Sequence, residues 1–184
     1  MNLYLLRHLP TRDNEQNING SRTNTPLSET GLKLAQDLIA KLSVNKYDLF
    51  IVSPLQRTQQ TIQPFLDTLE NPKIIIDPLI NERDLGLLTN SRRDDGQVAK
   101  HQTEQGVSKI AWIPPQGESV YDVQNRAKFF LEKLKDLKEE SVLVCSHQIF
   151  LRCLEMLILN KPIETAYQDP LPLFENGELR LYEI

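Results

Sequence analysis

Cysteine is almost missing from this chain: among 184 residues only Cys145 and Cys153 carry a thiol. Two cysteines that are not spaced as CxxC build neither a disulfide framework nor a cysteine-rich zinc site, and the expected compartment is a reducing cytoplasm. Histidine is scarce as well; His8, His101 and His147 are the three copies, none at zinc-ligand spacing. A basic excess is absent too: 21 Lys and Arg face 25 Asp and Glu, for a formal charge of -4. That argues against a nucleic-acid partner, although a small basic pocket can sit inside an acidic surface. No apolar run reaches the roughly 20 residues of a membrane span. The opening MNLYLLRHLP has neither the basic start nor the small-residue cleavage site of a signal peptide. With no repeat, low-complexity tract or linker, residues 1–184 are expected to form one domain.

What is present is globular composition, 40% hydrophobic and 25% charged, arranged in alternating strand and helix patterns. Asn2–Arg7, Asp48–Val52, Lys73–Asp77 and Ser141–Cys145 read as short apolar strands, and Leu179–Tyr182 as an edge strand. Ser28 looks like the N-cap of a helix whose apolar residues run from Leu32 to Leu42. Ser53 and Pro54 read as the N-cap and first position of a second helix, with Leu55, Ile62, Phe65, Leu66 and Leu69 on its apolar face. Val120 to Leu137 step by threes and fours in a third, and Phe150–Leu159 forms a fourth. Ser91–Val107 is polar all round, an exposed excursion. The fold class is therefore α/β, a three-layer αβα sandwich around a mostly parallel sheet covered on both faces.

Ligands of such sheets bind beyond the carboxyl ends of the strands. Arg7 and His8 follow strand one, Ser53 and Arg57 follow strand two, and Asn81, Glu82 and Arg83 come after strand three. Ser146 and His147 follow strand four, with Arg152 beyond. Guanidinium groups match phosphate bidentately. A neutral imidazole is a competent nucleophile, and a carboxylate serves as general acid and base. Singly, each residue has a plainer reading as a strand cap, a core histidine or a salt-bridge partner; their convergence on one rim points to phosphoryl transfer.

The same segments resemble the histidine phosphatase (phosphoglycerate mutase-like) superfamily. LRHLPTRDN at 6–14 is similar to LRHGET…N, SPLQRTQQT at 53–61 to SPLxRxxQT, and NERDLG at 81–86 to ERxxG. PPQGESVYDVQNR at 114–126 is similar to PPxGES…D…R, and CSHQIFLR at 145–152 to SHGxxxR. The resemblance implies a phosphohistidine on His8, phosphoryl binding by Arg7 and Arg57, stabilisation by His147, and acid–base work by Glu82. Asn14, Arg83 and Gln148 join Arg7 and Arg57 as substrate-binding candidates. Glu118 and Ser119 have a supporting part, and Arg152 a structural one. No cofactor and no metal are implied, and the expected partner is a small phosphorylated substrate.

Two signature glycines are replaced, one by Leu9 and one by Gln148. If the first glycine serves for space, Leu9 adds a wall to the pocket; if for a positive φ, the loop takes another path. The leading expectation is a phosphomonoesterase. Mutase-type transfer is disfavoured by the short Leu87–Gln116 interval, and the third reading is a non-catalytic phosphoester binder with a pocket narrowed by Leu9 and Gln148. A cysteine phosphatase fails on spacing, because six residues separate Cys145 from Arg152 and none is glycine.

Overall fold

The structure, a computed structural model, describes residues 1–165 and 173–184. Its strands are β1 (Asn2–Arg7), β2 (Leu49–Val52), β3 (Ile74–Ile76), β4 (Ser141–Ser146) and β5 (Leu179–Glu183). The helices are α1 (Arg12–Glu15), α2 (Glu29–Leu42), α3 (Gln56–Leu66), α4 (Gln97–Gln105), α5 (Val120–Lys135) and α6 (Gln148–Ile158). One sheet runs β3-β2-β4-β1-β5, parallel except for β5, which pairs antiparallel with β1.

Strand alternation divides the core. Leu3 and Leu5 of β1, Leu49 and Ile51 of β2, and Val142 and Val144 of β4 point to one face, where α5 and α6 cover them. Tyr4, Leu6, Phe50, Val52, Leu143 and Cys145 point to the other, beneath α2 and α3. Full burial of each large apolar side chain is worth about 1.5–3 kcal/mol. The central strands need both layers, which yields the three-layer sandwich.

Four details differ from the sequence reading. β3 is an edge strand whose three isoleucines are 40–48% exposed, so this part of the sheet is not covered on both faces. α3 stops at Leu66, which places Leu69 outside it and exposed. Similarly α5 stops at Lys135, and Leu137 packs against the core from beyond its end. Finally, Ser53 does not cap α3: the helix begins at Gln56, and the capping oxygen comes from Asn24 Oδ1, which accepts from the Gln56 N–H at 2.8 Å. Ser53 is employed elsewhere. The polar excursion carries α4, on which no residue is buried.

Candidate active site

The strand order reverses between β1 and β4: β1 continues through α2 to β2 on one side, while β4 continues through α6 towards β5 on the other. Such a switch opens a crevice at the carboxyl ends. Arg7 lies opposite Ser146 in the register, so the next residues on each strand, His8 and His147, stand side by side. Their ring centroids are 5.2 Å apart.

His8 is 4% exposed, and its Nδ1 lies 2.8 Å from the Leu9 carbonyl. A carbonyl only accepts, so Nδ1 carries the proton and the lone pair of a neutral ring sits on Nε2. Burial first, then the Arg57 and Arg7 charges, hold the His8 pKa well below 6.5. The ring is therefore neutral at ordinary pH. The segment before β5 braces this loop: Asn176 donates to the His8 carbonyl at 2.8 Å, and Arg7 Nη1 donates to the Phe174 carbonyl at 2.6 Å. Arg7 Nε is buried without a hydrogen-bond partner among the described residues.

Leu9 settles both questions raised by the missing glycine. It is absent from the positive-φ residues, so no left-handed conformation is needed. Its side chain turns away from His8 into the α2/α3 face of the core. There it presses on Gly177 (φ +76°), where an added Cβ would come within 2.6 Å of Leu9 Cδ2. Leu9 does not narrow the pocket; the space it needs is provided by Gly177.

Arg57 starts a chain of hydrogen bonds whose direction is fixed, because a guanidinium only donates. Its Nη1 and Nη2 hold the carbonyls of Thr23 and Ser21, each at 2.7 Å, and its Nε donates to His147 Nδ1 at 3.2 Å. His147 must then carry its proton on Nε2, which donates to Ser53 Oγ at 2.8 Å. Ser53 passes its own proton to Asn81 Oδ1 at 2.8 Å. Burial, then Arg57, keep His147 neutral, with a pKa well below 6.5. Both nitrogens of His147 are thus engaged inside the protein, one of them by a phosphoryl-binding candidate.

Glu82 is fixed at two levels. Its Oε1 accepts from the Arg83 N–H at 2.9 Å and from the Ile149 N–H at 3.1 Å, so the carboxylate sits on the N-terminal turn of α6, where negative charge is favoured. Its backbone carbonyl accepts from Arg22 Nε at 3.0 Å and Arg126 Nη2 at 3.1 Å. Glu118 ties these guanidiniums together, 2.8 Å from Arg22 and 2.9 Å from Arg126. This is the work of the GES segment; Ser119 caps α5 in a capping box with Asp122.

Arg7, His8, Asn14, Arg57, Glu82 and Gln148 all line one small cavity of about 50 Å³, together with Asp13, Ser21 and Arg93. Asn14 Oδ1 accepts from the N–H and the hydroxyl of Thr11, each at 3.0 Å. Gln148, the first residue of α6, also borders an adjoining cavity of about 290 Å³. Its amide makes no side-chain hydrogen bond to the described residues. Arg83 borders only the larger cavity. Its guanidinium is directed to the carbonyls of Trp112 and Glu118, both at 2.9 Å, so it is separated from the group around His8. Arg152 is buried in an ion pair with Glu155 at 3.2 Å. Burial pushes the Cys145 thiol up and that of Cys153 up to about 12, as expected for inert core thiols. Among the described residues, no three His, Cys, Asp or Glu side chains group as a metal site, and no helix is long and apolar enough to cross a membrane.

Two contributors escaped the sequence reading. Arg93 comes from the polar excursion, marked only by the doubled arginine in SRRDDG. The 174–177 segment offered no signal, because its role is carried by backbone groups, one asparagine and one glycine.

The geometry is that of a phosphoryl-transfer pocket at the switch point of a mixed sheet. The family model of the histidine phosphatase superfamily (branch 1) matches residues 3–184, and the chain belongs to that superfamily. It is 29% identical over 178 residues to the adenosylcobalamin/alpha-ribazole phosphatase of Escherichia coli, covering 91% of this chain and 83% of that one. It is 32% identical over 165 residues to the 2,3-bisphosphoglycerate-dependent phosphoglycerate mutase of Brucella canis, covering 85% and 80%. The alpha-ribazole phosphatase structure from Shigella flexneri superposes with a TM-score of 0.89 at 25% identity, over 100% of this chain and 91% of that one. A mycobacterial glucosyl-3-phosphoglycerate phosphatase shares the fold, with a TM-score of 0.84 at 20% identity over 98% and 90%. The chain is a phosphatase or a related phosphoryl-transfer enzyme.

Proposed function

We propose that the protein is a phosphomonoesterase that hydrolyses a small phosphorylated metabolite through a phosphohistidine on His8, without a metal. The observation that carries this reading is the His8 ring itself. Its Nδ1–H is held by the Leu9 carbonyl at 2.8 Å, which leaves Nε2 as the nucleophilic atom in the cavity that Arg7, Arg57 and Glu82 share. Nε2 attacks phosphorus, the ester P–O bond breaks, and Glu82, which enters this step in its protonated form, gives that proton to the leaving oxygen. The positive charge formed on the ring is stabilised through Nδ1–H by that carbonyl. Glu82, now a carboxylate, takes a proton from water; the water oxygen bonds to phosphorus, the P–N bond breaks, and neutral His8 returns with free phosphate.

Arg7 Nε, buried and without a partner among the described residues, is a donor that a phosphoryl oxygen would satisfy. Arg57 has two N–H bonds beyond the three already described. Preorganised donors of this kind account for most of the rate in phosphoryl transfer. Asn14 lines the small cavity and Gln148 borders both, which fits a substrate whose alcohol continues into the larger one. The absence of a nucleic-acid or membrane partner belongs to the same reading, supported by the acidic net charge, and so does a cytoplasmic location, supported by the scarcity and spacing of cysteine.

A rapid-quench experiment with a ³²P-labelled monoester tests it. The expected result is an acid-labile, alkali-stable phosphoprotein that is absent from His8→Ala, with phosphate release unaffected by EDTA. Wild-type turnover in His8→Ala, or loss of turnover on chelation, overturns the mechanism. The Brucella mutases favour a second reading, return of the phosphoryl group to substrate; isomer formation without net phosphate release would establish that one instead.

A further inference from the structure

We infer that Arg93 is a specificity residue that binds a second anionic group on the alcohol portion of the substrate. This rests on the phosphomonoesterase reading and names the class of ester the site would take. Arg93 borders both the small cavity around His8 and the larger one beside it. The larger cavity has an apolar wall of Leu85, Val98 and Ile149 and contains two guanidiniums. That of Arg83 is turned to the carbonyls of Trp112 and Glu118. That of Arg93 makes no hydrogen bond or ion pair with the described residues, although two acids follow it directly in the chain. Both acids are engaged elsewhere: Asp94 takes a bidentate bond from Arg92, 3.0 Å at each oxygen, and Asp95 Oδ1 accepts from the Gln97 N–H.

The position of Arg93 is built rather than accidental. Its backbone N–H donates to the Asn17 carbonyl at 2.9 Å, Ile18 and Arg92 form an antiparallel bridge, and Asn19 bonds Ser91 through both backbone and side chain. The excursion is therefore stitched to the loop that also lines the pocket, and it delivers one cation to the boundary between the phosphoryl end and the leaving-group end. Burial is the main reason the Arg7 and His8 pKa values are lowered, and the Arg93 charge adds a smaller push in the same direction. A planar guanidinium in that place suits a carboxylate or a second phosphoryl group, which it can bind bidentately.

The test uses matched esters: 2-phosphoglycolate, its neutral twin 2-hydroxyethyl phosphate, and ethylene glycol bisphosphate. Wild-type protein is expected to favour the two charged esters by at least tenfold in kcat/KM. Arg93→Gln should remove most of that preference through KM, lower kcat/KM for the neutral twin far less than for either charged ester, and be partly restored in Arg93→Lys. The pair of charged esters tells carboxylate from phosphoryl preference. Equal losses on all three esters, meaning that Arg93 serves the transferred phosphoryl group, would overturn the inference; so would no loss on any. If no ester is hydrolysed, the hydrolase reading fails by itself. Calorimetric affinities of the same three compounds for His8→Ala and His8→Ala/Arg93→Gln then decide the Arg93 inference on binding alone.

Discussion

The side chain of Glu82 bonds the N–H of Ile149 at 3.1 Å, so the proposed acid–base group rests on the helix that begins immediately after His147. Two residues from motifs far apart in sequence are thereby held as one unit, and the outer face of the unit is secured by Glu118. Replacing Glu118 by Gln removes the charge that ties Arg22 to Arg126 while leaving the cavity lining intact. The expected outcome is a kcat about tenfold lower, or about 1.4 kcal/mol of transition-state stabilisation, with KM within twofold. Steady-state kinetics on any turned-over ester check this. An unchanged kcat would remove Glu118 from the positioning role.

Ser53 links His147 to Asn81 and is fully buried. Ser53→Ala leaves the His147 Nε2–H without its acceptor, a loss of about 1–3 kcal/mol for an orphaned buried donor. Thermal denaturation should show the lower stability, and kcat should fall as the ring loses its fixed orientation. Ser53→Thr, which keeps the hydroxyl, should recover part of both.

His8 and His147 also shape the pH response. Both are held well below the usual imidazole range, chiefly by burial and then by Arg57. The proposed nucleophile stays unprotonated, so no acid limb from His8 should appear in kcat/KM near pH 6.5. Stability behaves differently. As pH falls below about 6.5 an unfolded chain protonates both rings while the fold keeps them neutral; the unfolded state binds more protons and stability declines. Each ring contributes at most about 1.4 kcal/mol per pH unit in that window. Denaturant midpoints for wild type and His8→Gln between pH 7.5 and 5 should show a shallower decline in the variant.

Leu9→Ala tests the packing of the replaced glycine. The lost side chain is 3% exposed, and a buried leucine truncation costs about 2–5 kcal/mol. Because that side chain faces the core and Gly177 rather than the cavity, turnover per folded molecule should remain within a few-fold of wild type. A large gain in activity would mean that Leu9 obstructs the pocket after all.

The central strands, the long helices and the rim of Arg7, His8, Arg57, Glu82 and His147 were legible because each carries a local signal, either an apolar period or a polar residue just past a strand. What was illegible depended on long-range partners. The sequence at Ser53–Pro54 has the form of a helix cap, yet the serine is drawn to His147 and the cap comes from Asn24. Arg83 shares its motif with Glu82 but faces Trp112. Arg93 belongs to a segment with no apolar period, and the long-range bonds of residues 91–93 to Asn17, Ile18 and Asn19 place it.

The brace behind β1 has a consequence for the order in which the protein becomes functional. Arg7 and His8 are made well before Phe174, Asn176 and Gly177, which hold this segment. Residues 1–165 contain β1 to β4 and nearly all of the buried core residues among those described, while the loop of the proposed nucleophile takes its backing from 174–177. The timing of activity is thus written into the topology: a polypeptide that ends before residue 174 carries every residue of the proposed chemistry and lacks the support that aims them.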